Sequence, residues 1–344
     1  MKISMSYDYQ PNHPMFPMSG LQISPYLFAR ELRKLGHEVT ECNLFETLDY
    51  GNVDCIIAAG YWGDLAYLRK TSKPVVFYGT TDGQIPKIFV DKINSLTHFI
   101  TQSESCKRVA LRDGVDSNKI SIVYPSPDHT IFKPVVREKT PTKIIFTNFL
   151  HGGDKELIKA MPGIVSKCPN ICAVLKIHHK VTKEHYEWAK PLIEKLGVNN
   201  YVKFMDIQKT HLEMPQFYQH SDLYISLGGI IGFELPFQEA NACGCPVVGL
   251  NYGAVPEYIT DNYNGLMVPV VKTEKYYAAK AGIELTEERP LCNPEDVAAA
   301  AGEILTNEDL RNKMIDNGRK LVETKFNCST QAKIMDEILR KVVQ

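Results

Sequence analysis

The densest chemical signal in this 344-residue sequence lies between Gly232 and Gly249. The segment reads as a loop, a short helix opened by Pro236, a glycine turn and a buried strand. Amides at the start of such a helix favour an anion, as in many phosphate sites. Glu239, one turn into the helix, can accept hydrogen bonds from a pair of neighbouring hydroxyls with its two carboxylate oxygens. The residues alone leave a second interpretation open, in which Glu239 only complements the helix dipole.

A second group of polar residues follows a predicted strand in the first half of the chain. Thr80, Thr81 and Asp82 stand just after the apolar run that ends at Tyr78. Ligands of open α/β sheets bind at the carboxyl ends of strands, so Thr80 and Asp82 are candidate catalytic residues. The alternative is that Asp82 and the glycine after it form an ordinary turn.

Composition and cysteine spacing exclude several classes of protein. The 39 basic and 40 acidic residues leave a net charge of −1, which argues against a dedicated nucleic-acid binder. No apolar run reaches the ~18 residues of a membrane span, and the first residues lack the apolar stretch of a signal peptide. We therefore expect a cytoplasmic protein. Neither close cysteine pair, Cys168/Cys172 or Cys243/Cys245, has the second half that a zinc site needs, so we predict no metal and no cofactor.

Short β-branched runs alternate with helical stretches along the whole chain, a pattern that predicts parallel α/β sheets. At about 150 residues per domain, the length corresponds to two domains. The predicted strands are Ile3–Ser6, Glu38–Cys42, Cys55–Ala59, Pro74–Tyr78, His98–Thr101, Ile120–Tyr124, Lys143–Thr147, Cys172–Ile177, Val202–Met205, Leu223–Leu227 and Pro246–Leu250.

A polar stretch bounded by Pro134 and Pro141 has no hydrophobic periodicity and reads as a linker. We therefore predict two Rossmann-like, doubly wound domains that face a cleft. The first spans residues 1–135, the linker spans 136–142, and the second spans 143–327. The final helix, 328–344, is expected to rejoin the first domain.

The motifs of the second half resemble those of retaining GT-B glycosyltransferases of family 4. The block 232–269 carries the resemblance, and Ser19-Gly20 and Gly114-Val115-Asp116 agree with it in order and spacing. The resemblance implies a GT-B fold and metal-independent transfer of a sugar from a nucleotide-diphosphate donor, with retention. It further implies that the first domain lies on the acceptor side and that the second binds the donor. The acceptor would be a glycan, a lipid-linked molecule or a small molecule, with no nucleic-acid partner and at most peripheral membrane contact.

The resemblance also assigns donor-binding residues. Glu239 matches the second of two family glutamates, which holds the ribose hydroxyls, whereas Ile231 replaces the first, which contacts the donor sugar. Glu234 is the candidate to take over that role as a catalytic residue; the alternative is a solvated loop charge. The other predicted donor-binding residues are Phe233, Leu235, Pro236, Gly152, Gly153, Lys155, Lys176, Met205, Asp206, Ile207 and Gly20.

Three departures from the family pattern keep a second function open. Ile231 lacks the carboxylate, Phe149 stands where the family has an arginine, and Thr80 and Asp82 stand where it has a histidine. The alternative is therefore a non-catalytic homologue that binds sugar nucleotides or glycans. A Rossmann oxidoreductase is disfavoured, because no Gly-x-Gly-x-x-Gly follows any predicted strand.

Overall fold

The computed structural model describes residues 1–13, 19–46, 51–81, 83–138, 140–149, 154–177, 187–205, 209–228, 232–280 and 282–343. These residues form two six-stranded parallel sheets with flanking helices, and one two-stranded hairpin. The predicted class, two doubly wound α/β sheets, is confirmed.

The first sheet has the strand order β2-β1-β3-β4-β5-β6. Its central strands are apolar on both faces because helices cover both sides, as parallel sheets require. Its elements are β1 (Lys2–Tyr7), α1 (Gly20–Lys34), β2 (Glu38–Asn43), β3 (Cys55–Tyr61), β4 (Val75–Thr80), α2 (Lys87–Ser95), β5 (His98–Thr101), α3 (Glu104–Asp113) and β6 (Ile120–Ile122).

The second sheet has the order β12-β11-β10-β7-β8-β9. Its elements are β7 (Lys143–Phe149), α4 (Asp154–Lys167), β8 (Ile171–Ile177), α5 (Ala189–Lys195), β9 (Val202–Met205), α6 (Pro215–Gln219), β10 (Leu223–Ser226), α7 (Leu235–Ala242), β11 (Val247–Leu250), α8 (Val255–Tyr258) and β12 (Gly265–Val268). The chain continues through the hairpin strands β13 (Lys272–Lys280) and β14 (Ile283–Leu291), and ends in α9 (Pro294–Thr306), α10 (Glu308–Thr324) and α11 (Cys328–Val342).

All eleven predicted strands agree with the structure to within two residues at each end. The strand predicted to reach Tyr124 ends at Ile122, because the Tyr124 amide donates to the side chain of Gln331 (2.9 Å) instead of to the sheet. The sequence analysis also contained no element for Gly265–Val268 or for the hairpin. The hairpin sequences KTEKYYAAK and IELTEERPL are rich in charged residues and have no run of β-branched residues, so they lack the signal of a buried strand.

The last helix, α11, packs on the first sheet. Met335 and Leu339 are buried in the same hydrophobic cluster as Ile3, Phe28 and Leu32. The final helix was expected to rejoin the first domain, and this packing places it there. The domain boundaries at residues 135, 142 and 327 stay predictions.

The carboxyl edges of the two sheets face each other across a cleft. The Ser103 hydroxyl, after β5, donates to the carbonyl of Gly232, after β10, at 2.7 Å. A Cβ on Gly20 would lie 3.6 Å from Leu235 Cδ1, so the start of α1 touches the start of α7. The cleft therefore lies where open α/β sheets bind their ligands.

Candidate functional site

The strand order of the second sheet reverses between β10 and β7, and polar side chains meet at this point. Tyr224 of β10 lies beside Phe146 of β7 in the sheet register. Its hydroxyl accepts a hydrogen bond from Asn148 Nδ2 (3.3 Å) and donates one to Glu234 Oε1 (3.1 Å). Such a reversal is the usual ligand position in open α/β sheets.

Glu234 is held in this network at the residue that precedes α7. Burial raises the pKa of its carboxyl to about 7, against the opposing effect of hydrogen bonds from Ser226 and Tyr224. The carboxyl is therefore a half-buried group with a specific hydrogen-bond donor at the point where the sheet reverses. Its role in the reaction stays a prediction.

Glu239 lies inside α7 and is only 4% exposed. The hydroxyl of Tyr218 donates to its Oε2 (2.8 Å), and His211 Nδ1 lies 3.7 Å from its Oε1. Burial raises the pKa of this carboxyl to about 7, and the Tyr218 hydrogen bond and the charge of Lys176 act in the opposite direction. Glu239 therefore has specific polar partners, which a charge that served only the helix dipole would not need.

Two basic groups stand beside Glu239. Lys176, near the end of β8, is buried; desolvation lowers its pKa, and the neighbouring Glu239 raises it. Desolvation lowers the pKa of His211 to about 4, so this imidazole is neutral at pH 7. Lys176 is thus a buried basic side chain close to Glu239.

Three other predicted donor-binding residues line the contact between the domains. The ring of Phe233 lies 4.8 Å from that of Tyr258 and 6.0 Å from that of Tyr124. Leu235 packs with Ile23 of α1, and Pro236 lies in the first turn of α7, as predicted. Together with Gly20, these residues join the start of α7 to the first domain.

The remaining predicted site residues are spread along the carboxyl edges. Lys155 is exposed at the start of α4, and Met205 is half-buried at the end of β9. Thr80 is the last residue of β4, two residues beyond the predicted end of that strand, and is buried, with its Oγ1 3.9 Å from Cys106 Sγ. Asp82, Gly152, Gly153, Asp206, Ile207 and Ile231 lie outside the described residues. Their roles, and the catalytic role of Thr80, stay predictions.

Sequence reasoning missed the residues that hold the two carboxylates. Tyr224 and Asn148 fix Glu234, and Tyr218 and His211 stand against Glu239. Asn148 offered one usable signal, since it is a polar residue near the carboxyl end of a predicted strand. The tyrosines offered none, because Tyr224 belongs to an apolar run and Tyr218 lies in a polar stretch that has no motif.

Within the described ranges, no group of three or more His, Cys, Asp or Glu side chains lies together as a metal site would. The helices in the described part of the chain include none with the length and apolar character needed to cross a membrane.

Comparison with known sequences finds similarity in the second half of the chain. Residues 129–289 match the family described as glycosyl transferases group 1. A D-inositol 3-phosphate glycosyltransferase from Saccharomonospora viridis is 31% identical over 97 residues, which cover 28% of this chain and 22% of that protein. A protein of the same name from Mycobacterium bovis BCG is 25% identical over 190 residues, or 52% of this chain and 38% of the relative. The matched segments thus span less than half of these relatives.

Solved structures resemble the whole chain. A glycosyltransferase from Rickettsia africae superposes with a TM-score of 0.77 at 15% identity and covers 100% of this chain and 98% of its own. Anabaena HepE, solved in complex with UDP and glucose, has a TM-score of 0.72 at 15% identity and covers 99% of both chains. The chain therefore has the two-domain GT-B fold, and its residues 129–289 are similar to the glycosyl transferases group 1 family.

Proposed function

We propose that this protein transfers a sugar from a nucleotide-diphosphate donor to an acceptor, with retention and without a metal ion. One observation carries the proposal: two hydrogen-bonded carboxyl groups, the half-buried Glu234 and the buried Glu239, stand at the start of α7, where the sheet reverses. The family match of this segment supports a glycosyl donor as the ligand. Because HepE was solved with UDP and with UDP-glucose, a uridine nucleotide is the first donor to test.

The proposed donor spans the two carboxyl groups. Glu239 accepts hydrogen bonds from the ribose hydroxyls, since each carboxylate oxygen can accept two and Tyr218 supplies one to Oε2. Lys176 and the free amides at the start of α7 stabilise the diphosphate. Glu234 addresses the sugar in place of the glutamate that Ile231 replaces.

The proposed reaction needs no protein nucleophile. The bond between the anomeric carbon and the diphosphate oxygen breaks while the acceptor oxygen bonds to that carbon on the same face. The proton of the acceptor hydroxyl passes to an oxygen of the leaving diphosphate. Lys176 and the α7 amides stabilise the negative charge that develops on the leaving group.

Glu239→Gln tests the donor site. We expect UDP affinity, measured by titration calorimetry, to fall by about 1.5–3 kcal/mol, the scale of hydrogen bonds to a charged group, with the fold intact by circular dichroism. Tyr218→Phe is the matched control, because it removes a partner of Glu239 but keeps the carboxylate, and we expect a smaller loss. Unchanged UDP affinity in folded Glu239→Gln would contradict the assignment.

Turnover in EDTA tests the metal-free mechanism. We expect release of UDP from UDP-sugars, in the presence of an acceptor panel, to be unchanged by EDTA and by added Mg²⁺ or Mn²⁺. Loss of turnover in EDTA with recovery on adding Mg²⁺ would show that the reaction uses a metal. Tight nucleotide binding with no turnover against the whole panel would instead favour the non-catalytic homologue.

A further inference from the structure

The polar side chains beneath α7 lie on one face of the second sheet. Tyr224 of β10 stands beside Phe146 of β7 in the register, and Asn148 of β7 stands beside Lys176 of β8. Residues two apart on a strand share a face, so Tyr224, Asn148 and Lys176 all lie on the face that carries Phe146. The ring of Tyr224 lies 5.5 Å from that of Phe237 in α7, so this face is the one that α7 covers.

The hydroxyl of Tyr224 has a fixed direction. Tyr224 is buried, and Asn148 Nδ2 donates to its hydroxyl oxygen at 3.3 Å. An amide nitrogen donates hydrogen bonds but does not accept them, so the hydroxyl proton cannot point towards Asn148. It points to Glu234 Oε1, 3.1 Å away, and an ionised carboxylate only accepts hydrogen bonds. Asn148 therefore makes Tyr224 a donor to Glu234.

Glu234 is held on its buried side and is accessible on the other. The residue is half-buried, whereas Tyr224 is 0% exposed. A carboxylate offers about four acceptor positions, and Tyr224 and Ser226 each donate a hydrogen bond to this one. The carboxylate therefore keeps acceptor positions on its exposed side, where hydroxyl groups of a ligand can bind.

Tyr224 also stabilises the ionised form of Glu234. Burial raises the pKa of this carboxyl to about 7, and the hydrogen bonds from Ser226 and Tyr224 act against that rise. The titratable groups that face it are Tyr224 and Tyr258 of α8; burial, and next the charge of Glu234, raise the pKa values of both tyrosines. In the described part of the chain no basic side chain pairs with Glu234, so Tyr224 and Ser226 are the groups that favour its charge.

We propose, on the basis of the proposed function, that Tyr224 is a positioning residue for sugar transfer that acts through Glu234. Oriented by Asn148, it holds Oε1 of Glu234 on the buried side, and the exposed side of the carboxylate accepts a hydrogen bond from a hydroxyl group of the donor sugar. Because an ionised carboxylate is the stronger acceptor, transfer depends on the ionisation of Glu234, and Tyr224 sets the pH range in which the site works.

The test is the pH dependence of transfer in Tyr224→Phe. UDP release from a saturating UDP-sugar, with the most effective acceptor of the panel, is measured from pH 5.5 to 9. We expect kcat of wild type to rise with pH through neutrality. Loss of one hydrogen bond to the charged form of Glu234 should move this rise to higher pH by about one unit. The variant is then about fivefold slower than wild type at pH 7 and within about twofold of it at pH 9. UDP affinity should stay within twofold of wild type, because Glu239 and Tyr218 are unchanged.

Tyr218→Phe is the matched control, because it removes the same hydroxyl from the buried tyrosine that donates to Glu239. We expect it to weaken UDP binding and to leave the pH dependence of kcat, at saturating donor, where it is in wild type. In a Glu234→Gln background, Tyr224→Phe should change neither kcat nor its pH dependence, because the group through which it acts is absent.

Asn148→Ala gives a second measure of the same network. It keeps the hydroxyl of Tyr224 but removes the donor that fixes its direction. We expect a shift of the pH dependence in the same direction as in Tyr224→Phe, and a smaller one. Since Asn148 is half-buried, this variant also tests the proposal if Tyr224→Phe does not fold.

The outcomes separate this proposal from the proposed function. A wild-type chain that releases no UDP from any donor overturns the proposed function and with it this proposal. An active wild-type chain whose pH dependence is unchanged in Tyr224→Phe and in Asn148→Ala overturns the role of Tyr224 alone. A loss of kcat in Tyr224→Phe that is equal at every pH, or that comes with a parallel loss of UDP affinity, would show a merely structural role and overturn it as well.

Discussion

Glu234 has a carboxyl group that folding makes a weaker acid. Burial raises its pKa from the ordinary 4.5 to about 7, so the folded state binds the proton more tightly than the unfolded state does. The corresponding stabilisation is fully present below pH 4.5 and is lost as the pH rises through 7. At alkaline pH the protein therefore keeps an ionised, desolvated carboxylate at the start of α7 at a cost to its stability.

Glu234→Gln removes this cost. We expect the free energy of unfolding of the variant to exceed that of wild type by about 1–3 kcal/mol at pH 8, and the gain to disappear near pH 5. Urea denaturation at pH 5, 6.5 and 8 measures the difference. Because the pKa of Glu239 is raised in the same direction, the variant keeps part of the pH dependence. A difference that is constant from pH 5 to pH 8 would contradict the raised pKa of Glu234.

Individual site residues could be predicted only where they share one continuous motif. Glu234, Leu235, Pro236 and Glu239 follow each other along one loop and helix, so the sequence was enough to group them. The partner of Glu239 could not be predicted in this way, because Tyr218 lies 21 residues away and meets it only through the packing of α6 on α7. Hydrogen-bond partners of this kind depend on tertiary structure.

At the scale of elements, α11 joins the end of the chain to the first domain. Its inner face buries Ala332, Met335 and Leu339 against α1 and the first sheet, while Lys341 on the other side is exposed. This amphipathic packing fixes the helix on a domain that begins more than 300 residues earlier in the sequence.

Leu339→Ala should therefore destabilise the protein by about 2–5 kcal/mol, the usual cost of a large-to-small substitution in a core. Thermal and urea denaturation measure the loss. Lys341→Ala on the same helix is the control and should change the free energy of unfolding by less than about 0.5 kcal/mol. If the two variants were equally stable, α11 would not be part of the core of the first domain.

The strands that could be predicted from the sequence are those built from continuous runs of apolar residues. The central strands, such as Cys55–Tyr61, are apolar throughout because both of their faces are covered. The hairpin escaped prediction because β13 is exposed along most of its length and only one face of β14 is buried. The apolar face of β14 packs against the first domain, and no local sequence pattern predicts that contact.

At the scale of the whole molecule, one carboxylate spans the cleft. Glu257 of α8 accepts hydrogen bonds from the amides of Glu104 (2.8 Å) and Ser105 (2.7 Å), which open α3 in the other domain. The hydroxyl of Tyr124 donates to the same carboxylate (3.2 Å). The first amides of a helix have no partner within the helix and favour a negative charge. Glu257 therefore stabilises the contact between the two domains.

The alternation of strands and helices predicted two domains, but it contained no information on this contact.

Glu257→Ala should shift the protein towards an open arrangement, because it removes two charge-assisted hydrogen bonds across the cleft. We expect a larger radius of gyration by small-angle X-ray scattering and acceptor transfer about tenfold slower, which corresponds to ~1.4 kcal/mol. UDP affinity should change less than threefold, because Glu239 and Tyr218 lie wholly within the second domain. Tyr124→Phe removes only the weakest of the three contacts and should show a smaller effect, and Glu337→Ala, on the exposed face of α11, should show none. An unchanged radius of gyration together with unchanged transfer would mean that the apolar contacts of Leu235 and the hairpin hold the domains closed without Glu257.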